Sequence, residues 1–271
     1  MTDPRLIRQP EGFGWGYTSI TRAGDPSADV GFSFGILRLR AGERHTVPAG
    51  QEGALLLLDG ELELVFDDQR ADAKRGSIFD EDPVALHFPA TARVALAART
   101  DCELAALQAA NDRSFEPRLF DRASMAEPSE HRGKGLLDDT AYRIVRTIFD
   151  GRNRPEAALV LGEVVNFPGR WSSYPPHHHP QPEVYHYRFT EPRGYGHAEL
   201  GEAVLKVRQG DTVKITDEND HSQVAAPGYG MYYLWAIRHL PGNPYTVPEF
   251  TEEHLWLNQP DAPIWRPRRD R

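Results

Sequence analysis

Apolar residues recur in short runs that alternate with polar ones and are cut every few residues by glycine or proline. That spacing leaves little room for anything but stacked or closed β-sheet. Residues 30–39 and 61–66 alternate with period two, as a strand with two unlike faces requires. Residues 54–58 form a continuous apolar run followed by Asp59-Gly60, a pair that predicts a hairpin turn. Further strands are expected at 78–79, 85–88, 93–98 and 102–107, and the 23 glycines and 22 prolines supply the breaks of a sandwich or barrel. Residues 1–110 therefore read as one β-barrel.

From 111 to 140 the texture turns polar and charged, with Pro117, Pro128, Gly133 and Gly135 and little apolar periodicity, so a connecting arm is expected there. Strand signals resume at 142–149, 157–165, 183–189, 198–200, 203–207, 212–215, 223–226 and 232–237. Residues 141–271 thus read as a second barrel. The expected fold class is all-β, two barrels in one chain, an internal duplication of layout without a repeat of residues.

Composition narrows the function. With 39% hydrophobic and 26% charged residues the chain resembles a soluble globular protein, and it has no run of about 18 apolar residues to span a membrane. The N-terminal Met1 to Leu6 lacks the basic and apolar regions of a signal peptide, so a cytoplasmic location is expected. The single cysteine, Cys102, excludes an intramolecular disulfide and reads as a core residue. A net charge of −9 argues against nucleic acid as a partner while leaving room for a local basic pocket. Exposed strand edges make a homo-oligomer a further expectation.

The chemistry is concentrated at His177-His178-His179-Pro180-Gln181-Pro182-Glu183, with His221 on a later strand. Alternation puts His177 and His179 on one face and His178 on the other. Imidazole suits zinc, iron, nickel and copper, and a carboxylate adds charge, so His177, His179, Glu183 and His221 form a candidate divalent-metal site. An expression tag would sit at a terminus, without the flanking Trp171-Ser172-Ser173-Tyr174-Pro175-Pro176. Glu183 is expected to open the antiparallel partner of the histidine strand after a Pro-Gln-Pro turn. The first half offers only His45 and Glu52 and reads as a metal-free structural copy. His186 and His239 are expected at strand surfaces, and Trp171, Trp235 and Trp256 as core or interface aromatics.

Gly169, His177-x-His179, Glu183 and Gly194, followed by Gly210-Asp211 and His221, are similar to the two metal motifs of the cupin superfamily. Within it, the stretch from Gly162 to His177, Glu183-Val184-Tyr185-His186-Tyr187-Arg188-Phe189, and Ala226-Pro227-Gly228-Tyr229 with Tyr232-Tyr233-Leu234 resemble the 5-deoxy-glucuronate isomerase family of myo-inositol catabolism. A weaker likeness runs through Arg146-Thr147-Ile148 and Gly76-Ser77-Ile78-Phe79-Asp80. The resemblance implies a bicupin that interconverts 5-deoxy-D-glucuronate and 5-dehydro-2-deoxy-D-gluconate, with His177, His179, Glu183 and His221 as ligands. Zinc is the expected ion, as in the related 4-deoxy-5-ketouronate isomerases, although the same ligands accept manganese, iron or nickel. Arg170 stands where that family commonly has asparagine, and Trp235 where a smaller polar residue is usual.

An aldose-to-ketose isomerisation needs a proton removed from C2 and a polarised carbonyl oxygen. Counting by two from Glu183 places Tyr185 and Tyr187 on the ligand side, as proton donors or as packing aromatics, and His186 and Arg188 on the other. Glu183 itself could act as base, but only if it left the metal. The uronic acid carboxylate needs a cation, for which Arg146, Arg170, Arg188 and Lys206 are candidates. The same residues would also suit an iron-dependent cupin dioxygenase or a non-catalytic sugar-acid-binding cupin.

Overall fold

A computed structural model describes residues 3–268, so the outermost ends of both expected barrels, 1–2 and 269–271, lie outside the described residues. The first half is organised by one 15-residue strand, Glu52–Phe66. Its early part pairs with Ala85–Phe88 and Cys102–Ala109, and its later part with Gln69–Arg75 and Val94–Ala98. Asp59-Gly60 is therefore not a hairpin: the strand continues through it, with a register shift against Cys102–Ala109 between Leu57 and Asp59. Gly60 has φ 105°, and a Cβ there would lie 2.4 Å from the Asp101 carbonyl oxygen. The glycine lets one strand bend from one layer into the next, and Leu37, Leu55, Leu62, Leu64, Leu96 and Leu104 fill the space between the layers.

The second half stacks two sheets. One has seven strands in the order Leu6–Ile7, Thr212–Ile215, Glu183–Phe189, Met231–Arg238, Leu159–Asn166, Arg143–Phe149 and Glu127–Arg132. The other has five, in the order Ala203–Arg208, Tyr195–Leu200, His221–Ala225, Trp171–His178 and Glu249–Phe250. Between them Val145, Val164, Tyr185, Tyr187 and Phe189 pack on Ala198, Leu200, Val207 and Ala225. The opposite face of the seven-stranded sheet packs on the first half, with Ile148, Leu161, Val184, Tyr232 and Leu234 against Phe32, Phe34, Ile36, Leu56 and Leu107. This sheet is covered on both faces, which is why Leu159–Asn166 and Glu183–Phe189 are buried along their whole length.

Two features go beyond the reading of the sequence. Among the described residues the pairing paths have free ends, so the sheets of neither half close on themselves. The segment 111–140 also does more than connect. Arg118–Phe120 pairs with Ala85–Phe88 in the first half, and Glu127–Arg132 pairs with Arg143–Phe149 in the second. Short strands like these carry too few residues for alternation to register in the sequence. Conversely, Leu6–Ile7 leaves the first half to pair with Thr212–Ile215. No helix among the described residues is long and apolar enough to cross a membrane.

Polar side chains are buried where the halves meet. Glu163 takes both terminal nitrogens of Arg75, at 2.7 and 3.0 Å, together with Arg146 Nη1 at 2.8 Å and the Tyr232 hydroxyl at 2.9 Å. The Arg75 and Glu163 side chains are wholly inaccessible to solvent. Arg146, a candidate for substrate binding, is thereby committed to the interface. His186, expected at a strand surface, is fully buried there, bonded to Thr212 Oγ1 at 2.8 Å and Arg188 Nη1 at 2.6 Å. A second network holds Glu52, which accepts the Ala158 amide at 2.8 Å, Asn111 Nδ2 at 2.6 Å and His87 Nε2 at 2.9 Å. Arg154 Nε donates to His87 Nδ1 at 2.9 Å, which assigns a neutral ring protonated at Nε2.

Burial outweighs the pull of Glu52 and lowers the His87 pKa. At Glu52 burial works upward, but the bonds from His87, Ala158 and Asn111 prevail and leave the carboxyl below its ordinary value. The unfolded chain therefore takes up protons on these two groups, near pH 6.5 and pH 4.5, before the folded chain does. The contribution of the pair should be full above pH 6.5 and fall as the pH drops below 6.5 for His87 and below 4.5 for Glu52, toward the lower folded values. Urea midpoints measured across this range check it, and a flat profile would contradict it. Glu163→Gln, which leaves Arg75 and Arg146 uncompensated, should cost about 3–5 kcal/mol in the same measurement.

Candidate functional site

The candidate ligands are gathered from both sheets of the second half. Trp171–His178 carries His177 and pairs with His221–Ala225, so that His177 and His221 lie directly opposite each other. The chain then leaves the five-stranded sheet through Pro180-Gln181-Pro182 and enters the seven-stranded sheet at Glu183. This corrects the expected hairpin. Glu183–Phe189 pairs with Thr212–Ile215 and Met231–Arg238, not with the histidine strand. Proline offers no N–H to a ladder, and Gln181 Nε2 ties the crossing to the Asn243 carbonyl at 3.0 Å.

His179, Glu183 and His221 are buried, and one ligand atom from each lies within 4.8 Å of the others. His179 Nε2 is 3.2 Å and His221 Nε2 3.5 Å from Glu183 Oε2. The opposite ring nitrogens face backbone carbonyls: His179 Nδ1 that of Gln181 at 2.9 Å and His221 Nδ1 that of Asn219 at 3.2 Å. His179 Nε2 bonds the carboxylate directly; with a cation between them, a proton on each Nδ1 would turn both Nε2 lone pairs to the ion, the arrangement in which outer carbonyls orient metal-binding imidazoles. His177 stands beside this group, its ring 4.5 Å from that of His221 and 6.5 Å from that of His179. His221 Nε2 and His177 Nδ1 are buried without hydrogen-bond partners. Unpaired buried acceptors next to an ionised carboxylate fit a divalent cation.

The local electrostatics agree. Burial pushes the Glu183 carboxyl up, but His179 and His221 outweigh it and hold the group below its ordinary range. Burial, followed by repulsion from His221 and His179, holds His177 well below the usual imidazole value. His178 turns away and bonds Asp220 Oδ1 at 2.8 Å.

A cavity of about 1710 Å³ opens beside this group, walled by Tyr185, Tyr233, Trp235, Ser172, Ser173 and Tyr245 among others. Tyr233 Oη lies 2.5 Å from Ser172 Oγ and 3.3 Å from Ser173 Oγ, and Tyr185 Oη lies 3.2 Å from Ser173 Oγ. Burial raises the pKa of Tyr185 well above the ordinary phenol. Tyr187 shares the inward face, but its hydroxyl bonds Gln223 within the sandwich core. Gly162 leaves room for the Trp235 indole, since a Cβ there would lie 2.3 Å from the ring.

The cations expected to meet a carboxylate are elsewhere. Arg146 is bound to Glu163. Arg188 is bound to Glu103 at 2.6 Å on the face toward the first half. Lys206 is exposed over the Tyr195 ring, and Arg170 reaches the Asp138 carbonyl at 3.1 Å. The cavity wall instead carries Arg143, which sequence reasoning passed over. Its signal was alternation with Val145, two residues on. Alternation along Met231–Arg238 likewise pointed Tyr233 and Trp235 inward, opposite Tyr187 and Tyr185. His239 borders the cavity and accepts the Tyr245 amide at 2.9 Å. Trp256 is 45% exposed rather than packed in the core.

Residues 6–257 match the model of the KduI/IolB family. Among curated proteins, the chain is 28% identical over 243 residues to a 5-deoxy-glucuronate isomerase of Geobacillus kaustophilus (strain HTA426), covering 83% of this chain and 80% of the relative. It is 26% identical over 266 residues to the protein of the same name from Geobacillus thermodenitrificans (strain NG80-2), covering 88% and 89%. Among solved structures, an IolB-like protein from Salmonella typhimurium LT2 superposes with a TM-score of 0.81 at 23% identity, over 91% of this chain and 97% of that one. The oxalate decarboxylase of Lactobacillus farciminis superposes with a TM-score of 0.62 at 11% identity, over 89% and 86%. These likenesses establish a shared fold.

Elemental analysis of purified protein checks the ligand set. His179→Ala and His221→Ala should each lose bound metal by at least about tenfold, the loss of an imidazole that touches the ion being no milder than that of the groups that orient it. His178→Ala should retain it. Metal retained in His179→Ala would contradict the assignment.

Proposed function

The chain belongs to the KduI/IolB family, and on that premise we propose that it is a divalent-metal-dependent isomerase converting 5-deoxy-D-glucuronate to 5-dehydro-2-deoxy-D-gluconate in myo-inositol catabolism. We read the two halves, 1–110 and 141–271, as duplicated cupin-type units joined by 111–140, in a cytoplasmic enzyme with one working site. The observation that carries the reading is the meeting of His179, His221 and Glu183 at one buried point beside a cavity walled by hydroxyl groups.

We assign His179, His221 and Glu183, joined by His177, as the residues that hold the ion, with zinc as the leading choice. When bound, such an ion supplies Lewis acidity toward the oxygens on C1 and C2 of the sugar. Glu183, held ionised, supplies the carboxylate of the ion site and takes the C2 proton only on leaving the ion. Tyr185 keeps its proton at neutral pH and can donate to the oxygen that gains charge. Ser173 links its hydroxyl to that of Tyr233, so the three can relay a proton along the wall of the cavity. Tyr187, bonded to Gln223, acts by fixing the strand beneath them. Trp235 and Tyr245 exclude water from one side of the sugar.

The test is to incubate zinc-loaded protein with 5-deoxy-D-glucuronate in deuterated water and follow the sugar by NMR. Conversion with deuterium entering at C2 of the remaining aldose is expected. Absence of conversion would overturn the reading, and oxygen uptake would favour a dioxygenase. Tyr185→Phe should lower kcat by roughly 10²- to 10⁴-fold, and an unchanged kcat would remove Tyr185 from the proposed chemistry.

A further inference from the structure

Five arginines are buried among the described residues: Arg75, Arg143, Arg146, Arg154 and Arg188. Four of them meet a carboxylate: Arg75 and Arg146 that of Glu163, Arg188 that of Glu103, and Arg154 that of Glu156. Arg143 differs. Only 7% of it is exposed, and its bonds go to two neutral oxygens, Nη1 to the Ala141 carbonyl at 2.8 Å and Nη2 to the Tyr174 carbonyl at 3.3 Å. A guanidinium has five N–H donors in a planar fork. Two carbonyls leave part of that fork free and neutralise none of its charge.

Its place in the fold gives this deficit a direction. Arg143 opens the strand Arg143–Phe149 and lines the cavity, on the same inward face as Val145. Tyr174, whose carbonyl it holds, lies three residues before His177 on the histidine strand. Ser173, preceding Tyr174, belongs to the hydroxyl chain with Tyr185 and Tyr233. The nearby cavity acid Glu130 is already paired with Arg132 at 2.8 Å. Burial draws the Arg143 pKa down to about 10, which leaves the group charged at neutral pH.

We infer that Arg143 is the anion-recognising residue of the cavity, its free N–H donors receiving the carboxylate of a sugar acid whose other end lies at the His179, Glu183 and His221 group. This rests on the isomerase reading for the identity of the acid. The carboxylate would complete the ion pair that the fold omits at this one buried arginine, and its bidentate geometry suits a planar fork. The preference for a uronic acid over a neutral aldose then originates at Arg143, while the reaction takes place at the opposite end.

The test is equilibrium binding to zinc-loaded full-length protein of 5-deoxy-D-glucuronate and of 5-deoxy-D-glucose, which carries a neutral hydroxymethyl group in place of the carboxylate. Arg143→Gln should weaken the uronate on the order of 10- to 100-fold and change the neutral sugar by less than about twofold. Arg143→Lys, which keeps the charge without the fork, should fall between and carries the same test if the glutamine variant fails to fold. Equal loss for both ligands, or an unchanged uronate affinity, would overturn the assignment and leave Arg143 a structural role. The isomerase reading fails separately. Wild-type protein that binds the uronate in preference to the neutral sugar without converting it would refute the activity and sustain the anion site. Conversion with no such preference would do the reverse.

Discussion

The ion cluster of Glu163 with Arg75, Arg146 and Tyr232 is the constraint on which the rest of the molecule depends. Charges removed from water are tolerated only when paired and fully hydrogen-bonded, so this cluster can form in one register alone. Glu163 faces the first half, and its neighbours Gly162 and Val164 face the cavity and the inner core. A slip of one residue would bring Glu163 into the sandwich and Val164 against two arginines. The same register aligns Leu159–Asn166 with Met231–Arg238, and through it with Glu183–Phe189. A polar contact on one face of the seven-stranded sheet thereby sets which side chains reach the functional face.

The functional group exists because two sheets are stacked. His177 and His221 are neighbours in one sheet, and Glu183 opens an interior strand of the other. The Pro180-Gln181-Pro182 crossing brings His177 and Glu183 together within seven residues of chain, and strand pairing adds His221. Gathered this way, His179 and His221 satisfy their outer nitrogens on carbonyls of their own turns, while His179 Nε2 reaches Glu183 and His221 Nε2 is left without a protein partner. An ion bound at this point would join the two sheets, so the site is coupled to the packing around it.

Much of this was legible in the sequence because alternation is a local property. The side taken by His178 against His177, and by His186 and Arg188 against Tyr185 and Tyr187, follows from counting by two. What could not be read is which sheet a strand joins. Asp59-Gly60 has the composition of a hairpin, yet the strand passes through it because Gly60 is pressed against Asp101 from another strand. The partner of Glu183–Phe189 likewise depends on residues some thirty to fifty positions away. The arginines illustrate the same limit. Arg143, Arg146 and Arg188 look alike in sequence, but only the structure reveals that Glu163 and Glu103 claim two of them. A charge without a partner is a property of three-dimensional arrangement, invisible to any window along the chain.

The central claim, that one buried point between the sheets of the second half binds a catalytic ion, is tested most directly by anomalous diffraction from crystals of the zinc-loaded protein. A single peak is expected at about 2.0–2.2 Å from His179 Nε2, His221 Nε2 and a Glu183 oxygen, with His177 as the fourth ligand. A peak at the surface near His178 and Asp220, or none between the sheets, would contradict the account.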